Sequence, residues 1–152
     1  MADPFSLTSV TDNERARVYL SADGPMDSVL FIDSYIEVMK ALVQPWRFDC
    51  LIDLLNCSGQ PEFADFVRLW KFWIPVIHRA TGLLKTAVVT EDPRTVGRMT
   101  AVAMLFPGHA IRTFRGMSEA ETWLDMPTTT NTSDEHSARV GAGRSNDHLR
   151  HG

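Results

Sequence analysis

Asp53 and Cys57 stand four positions apart where the apolar run Cys50-Leu51-Ile52, followed by Leu54-Leu55, gives way to polar residues. An acid at the end of an apolar strand either polarises a ligand or bonds the backbone of the next loop. A thiol at a helix N-terminal junction can have its pKa lowered and act as a nucleophile. The sequence sets no histidine–acid pair beside either residue, so the nucleophilic constellation is incomplete and Cys57 reads as an inert thiol. Cys50, seven residues before Cys57, reads as core, and two such cysteines are no disulfide framework. His78 and His109 read as surface histidines. His136, His148 and His151 lie in a polar tail without Cys or carboxylate at ligand spacing, so no metal is expected there. Gly97 follows no glycine-rich phosphate loop and reads as a packing glycine. The expectation is a protein that is no enzyme and carries no cofactor.

What the chain has in surplus is apolar surface. Over residues 61–80, stepping about 100° per residue, Phe63, Phe66, Val67, Leu69, Trp70, Phe72, Trp73, Ile74, Val76 and Ile77 cover an arc of roughly 220°. A one-sided surface helix needs a stripe only a little over 100° wide. The preceding helical pattern is also over-supplied: Val29, Ile32, Ile36 and Val43 form one face, while Phe31, Tyr35, Val38 and Leu42 populate another. Phe31, Tyr35, Met39, Leu69, Trp70, Phe72 and Trp73 are therefore the expected binding residues. They would cover an apolar small molecule, a protein partner or a second copy of the chain.

The elements that must position these residues alternate along the chain. Phe5 to Thr11 and Arg15 to Ala22 alternate apolar and polar, with Asp12-Asn13 between them, and predict an antiparallel hairpin. Asp23-Gly24-Pro25 breaks the pattern, and Asp27 or Ser28 caps a helix to about Val43. Arg47 to Leu55 reads as a buried strand, and Asn56-Cys57-Ser58-Gly59 turns into the aromatic helix, which Pro75 kinks late and Thr81-Gly82 closes. Lys85 to Thr90 is the clearest buried strand, followed by a helix from Pro93 to about Leu105. A last strand, His109 to Phe114, precedes a short helix opened by a Ser118–Glu121 capping box and ending near Met126. The order β-β-α-β-α-β-α-β-α predicts an α/β fold: a mixed four- to five-stranded sheet, hairpin first and crossovers after, flanked by about four helices.

Length and composition fit one domain over residues 1–126 and a polar tail over 127–152. The tail has almost no large apolar side chain beyond Val140 and Leu149 and reads as disordered. A net charge of −4 without any Lys/Arg run speaks against nucleic acid. The first residues lack a basic segment followed by an apolar one, and polar residues interrupt every apolar stretch. No secretion signal or transmembrane segment is therefore expected, and the cytosol is the default compartment.

Three segments carry a resemblance over about Phe5 to Leu124: FDCLIDL (Phe48–Leu54), LLKTAVVTEDP (Leu83–Pro93) and AIRTFRGMSEAETWL (Ala110–Leu124). In them the chain resembles SpoIIAA-like members of the STAS/SEC14-type superfamily, small single-domain proteins common in bacteria. The resemblance implies a four- or five-stranded sheet and, in the sporulation branch, a non-enzymatic role. Anti-sigma-factor antagonists of that branch carry a phosphorylated serine, within an Asp-Ser-Ser-Gly type motif, at the start of the helix after a central strand. The matching junction here, Asn56-Cys57-Ser58-Gly59, keeps Ser-Gly and lacks the acid and the first serine. Ser58 is thus the implied phosphorylation position, and a phosphate at a helix N-terminus would be electrostatically favoured. The sequence as a whole predicts a non-catalytic binding or regulatory module that uses its aromatic helix. The alternatives are a phosphoswitch at Ser58 and a small enzyme using Cys57 or Asp53.

Overall fold

In the computed structural model, which describes residues 3–127, five strands form one sheet in the order β1-β2-β3-β4-β5. The strands are β1 Ser6–Asp12, β2 Arg17–Pro25, β3 Asp49–Ser58, β4 Leu84–Val89 and β5 His109–Phe114. β1 and β2 form the antiparallel hairpin, and every later pair is parallel. The helices are α1 Ser28–Lys40, α2 Phe66–Trp73, α3 Pro93–Ala103 and α4 Met117–Asp125. A sheet whose parallel strands follow chain order, joined by right-handed crossovers, must place every crossover helix on the same face. Accordingly α1, α2 and α3 share one core with the sheet, built on Val18, Leu20, Ile52 and Val88. α4 follows the last strand, is free of that constraint, and covers Leu51, Ala87 and Val89 on the opposite face. β4 is buried along its whole length because it has helices on both sides.

Local chemistry sets the ends of these elements. Asp27 caps α1 by accepting from the Leu30 amide at 3.1 Å, and Asp92 caps α3 by accepting from the Arg94 amide at 2.9 Å. The Ser28 hydroxyl instead accepts from the Glu62 amide at 2.7 Å, tying the start of α1 to the chain that leads into α2.

Several boundaries differ from the sequence reading. β2 runs through Asp23-Gly24 to Pro25, because its parallel partner β3 continues alongside, pairing Gly24 with Cys57 and Pro25 with Ser58. Gly24 makes this passage possible: its φ is +87°, and a Cβ there would meet the Pro4 carbonyl oxygen at 2.9 Å. β3 likewise extends to Ser58, so the turn falls at Gly59, with φ +80°, and α2 starts only at Phe66 after a 3-10 turn at Phe63–Asp65. α2 does not continue kinked to Ala80. It ends at Trp73, since Pro75 has no amide to offer the ladder and disfavours helical backbone at Ile74. α1 stops at Lys40 rather than Val43. The capping box at α4 is not made: Gly116 occupies the cap, and no side chain bonds the first amides. The polar segment expected over 127–152 lies, from residue 128 on, outside the described residues.

Candidate functional site

α2 divides its apolar side chains between two faces. Phe66, Leu69 and Trp73 point into the core. Phe63, Val67, Trp70 and Ile74, spaced four, three and four residues apart, keep 37%, 41%, 39% and 46% of their surface exposed and form one outward stripe. Phe72 is half-buried, with its ring edge-on to Trp73 at 5.3 Å. The Trp73 indole Nε1 donates to the Tyr35 hydroxyl at 3.0 Å, which joins α2 to α1 in the core. Burial pushes the Tyr35 pKa far up, so the phenol stays neutral. Arg68 reinforces the helix pair from outside, donating to the Asp33 carboxylate and to the Val29 carbonyl.

Behind the inner face of α2 lies an apolar cavity of about 40 Å³. Phe31, Tyr35, Leu69 and Trp73 line it from the helices, Val88 and Ile111 from the sheet. Outside the same region, Trp70, Ile74 and Ile77 face Phe106 and Pro107 across a shallow apolar groove. Trp73, Phe106 and His109 border both the cavity and the groove and form the wall between them. Met39 is sealed in the core away from the cavity.

His109 is not the surface residue that its position at a strand start suggested. Its ring stands 4.7 Å from Trp73 and 6.0 Å from Phe106, both edge-on, and Nδ1 is buried without a hydrogen-bond partner among the described residues. Desolvation lowers its pKa to about 4, which keeps it neutral at pH 7. One signal for this lies in Phe106-Pro107-Gly108 before His109, a tight return with Gly108 at φ +88° that brings the histidine against Trp73 of α2.

The residues suspected of covalent chemistry lie elsewhere. Asp53 accepts from the Leu55 amide at 2.9 Å, a local backbone bond. Cys57 is half-buried and donates weakly to the Ser58 carbonyl at 3.8 Å. Burial and then the charge of Asp23 raise its pKa, the opposite of an activated nucleophile. Ser58 is exposed at the end of β3, and its carbonyl accepts from the Met26 amide at 2.7 Å. It caps no helix, so the electrostatic advantage expected of a phosphate there is missing. Among the described residues no group of three or more His, Cys, Asp or Glu could hold a metal ion, and no helix is long and apolar enough to cross a membrane.

A second charged centre lies under α4. Lys85 is buried, and its Nζ donates to the Trp123 carbonyl at 3.0 Å and to the Met126 carbonyl, the last acceptors of the helix. Arg17, also buried, donates to Asp125 at 2.8 Å. Asp49 accepts from the Lys85 amide at 2.9 Å, and burial raises its pKa against that bond and the charges of Lys85 and Arg17. Every bond of Lys85 goes to α4 or to its own strand neighbours, so this centre reads as a clamp.

No protein-family model matches the sequence, and no curated protein matches it. Among solved structures it is similar to an uncharacterised protein of Shewanella loihica PV-4 with a SpoIIAA-like fold, at 12% identity and a TM-score of 0.51. That match covers 82% of this chain and 98% of the other. An anti-sigma factor antagonist from Mycobacterium paratuberculosis matches at 19% identity and a TM-score of 0.49, over 80% of this chain and 96% of that one. The fold is SpoIIAA-like: a five-stranded mixed sheet with four helices.

Proposed function

We propose that this domain is a non-catalytic binding module whose ligand is a small apolar molecule held between α2 and the sheet. One observation carries the reading: a shared wall, Trp73–Phe106–His109, borders both an apolar cavity behind α2 and an apolar groove beside it. Pockets that bind small molecules are mostly apolar, with a few fixed polar groups, and this region has that composition. Asp53, Cys57 and the buried Lys85 all lie outside it. Native mass spectrometry of the protein purified from its own host tests the proposal. The expected spectrum contains a species heavier than the bare chain by one small molecule, lost on denaturation. A bare chain alone, from a preparation never exposed to denaturant or organic solvent, contradicts it.

The outward stripe favours a second reading, in which Phe63, Val67, Trp70 and Ile74 dock a protein partner. Their combined exposed area, roughly 300 Å² for side chains of this size, is well below the ~800 Å² per partner of a stable complex. The stripe therefore suits a weak, transient contact better than a permanent homodimer. If that contact is regulated by phosphorylation at Ser58, whose side chain is exposed, Ser58→Asp must change partner affinity while Ser58→Ala keeps that of the unmodified chain. Equal affinity for both variants removes the phosphoswitch.

A further inference from the structure

The two edges of the sheet are built differently. β5 carries the exposed Arg112 within it, the guanidinium lying over the Phe114 ring at 5.3 Å, and its other five residues are half-buried. Charge and cover of this kind keep an edge from pairing with another chain. β1 has neither. Its sequence, Ser-Leu-Thr-Ser-Val-Thr-Asp, holds no Lys, Arg or Pro, and five of its seven residues are exposed. Its pairing with β2 runs from Ser6 with Asp23 to Asp12 with Arg17 and contains no bulge. Every second residue of β1 therefore turns its amide and carbonyl away from β2, and among the described residues no strand meets them. The flanks of this edge are apolar as well. On the helix side, Ser9 and Thr11 floor a trough whose far wall is Ala41, Leu42 and Val43, just after α1. Val43 is 92% exposed, the highest value among the large apolar side chains described. On the opposite face stand Thr8 and Val10, the latter 65% exposed.

We propose that β1 pairs with β1 of a second copy of this chain, antiparallel about a two-fold axis at Ser9, joining two five-stranded sheets into one of ten. The strand is complementary to itself in this register. Thr8 falls opposite the partner's Val10, Leu7 opposite the partner's Thr11, and Ser6 opposite the partner's Asp12. β-Branched side chains facing each other across two strands are a favoured pair, and Asp12, the only charge in β1, meets no like charge. The same axis sets the two troughs side by side, so Leu42 and Val43 of each copy gain cover. Glu14, Glu37 and Arg47 all line the trough, so no surface of a single sign is set against itself. None of these residues lines the cavity or the groove at α2, and the pairing stands apart from the ligand reading. Seven strand residues and the few beside them fall short of the roughly 20–30 a side of a standard interface, so the dimer should dissociate on dilution.

Sedimentation velocity of the full chain over a concentration series tests this, together with two double variants on the exposed face. Thr8→Lys with Val10→Lys sets like charges opposite each other at two places. Thr8→Lys with Val10→Glu sets opposite charges at the same two places. The natural chain should pass from monomer to dimer as its concentration rises. The first variant should weaken the dimer at least about tenfold, and the second should restore it. Amide hydrogen exchange of the natural chain needs no variant: protection in β1 should rise with concentration while that of α2 stays constant. A chain that stays monomeric at millimolar concentration overturns the proposal. So does a dimer that both variants weaken alike, or one that protects α2 and leaves β1 unchanged.

Discussion

Trp70 and Trp73 are three residues apart in one short helix, yet the fold uses them in different ways. Trp73 is buried and bonded to Tyr35, so Trp73→Ala should cost about 3–5 kcal/mol in chemical denaturation through cavity formation and loss of that bond. Trp70 remains substantially exposed, and Trp70→Ala should cost under about 1 kcal/mol. Helical spacing marks both rings as apolar and cannot tell which of them meets the sheet. That depends on how α2 is rolled, which Phe66, Leu69 and the Tyr35 hydroxyl decide together. The partial burial of His109 was illegible for a related reason, because a histidine at a strand start looks solvent-facing until the Phe106–Gly108 return is in place. Its titration gives a further prediction. Burial alone holds its pKa at about 4 in the folded protein, against about 6.5 when unfolded, so the folded state binds the proton less readily. The stability tied to neutral His109 is complete above about pH 6.5 and is lost as pH falls toward 4, up to about 3 kcal/mol. The melting temperature of His109→Phe should therefore fall less between pH 6.5 and 4 than that of the natural chain.

At the scale of elements, the alternation of strands and helices was legible from hydrophobic period and turn residues, and all nine elements stand in the expected order. Their ends were less so. The Asp23-Gly24-Pro25 and Asn56–Ser58 segments look like turns in isolation and become strand because each pairs with the other, a long-range reason that no local window contains. The α4 clamp was missed in the same way. Lys85 opens the segment KTAVVT, where a lysine passes for a strand boundary, yet its ammonium reaches across to the last carbonyls of a helix about forty residues later. Replacing it by Met keeps the aliphatic stem but takes the Nζ donor from the Met126 carbonyl and leaves the Trp123 carbonyl only its bond from the Met126 amide. Lys85→Met should cost about 2 kcal/mol. Amide hydrogen exchange should then quicken in α4 well before it does in β3 or β4, and a uniform loss of protection would argue against a local clamp.

For the whole molecule, the one-sided arrangement of crossover helices concentrates its apolar surplus at a single place. α1, α2 and α3 must share one face, and five strands give them a broad, twisted floor; the short α2 closes over it without filling every gap. The cavity under Trp73 is what remains, and the ligand reading depends on its being dry and accessible. Crystals of the full chain pressurised with xenon test that most directly, because xenon occupies apolar voids and avoids hydrated ones. The account predicts a xenon peak bounded by Trp73, Val88 and Phe106. An ordered water in that position, bonded to His109 Nδ1 and excluding the gas, would contradict it.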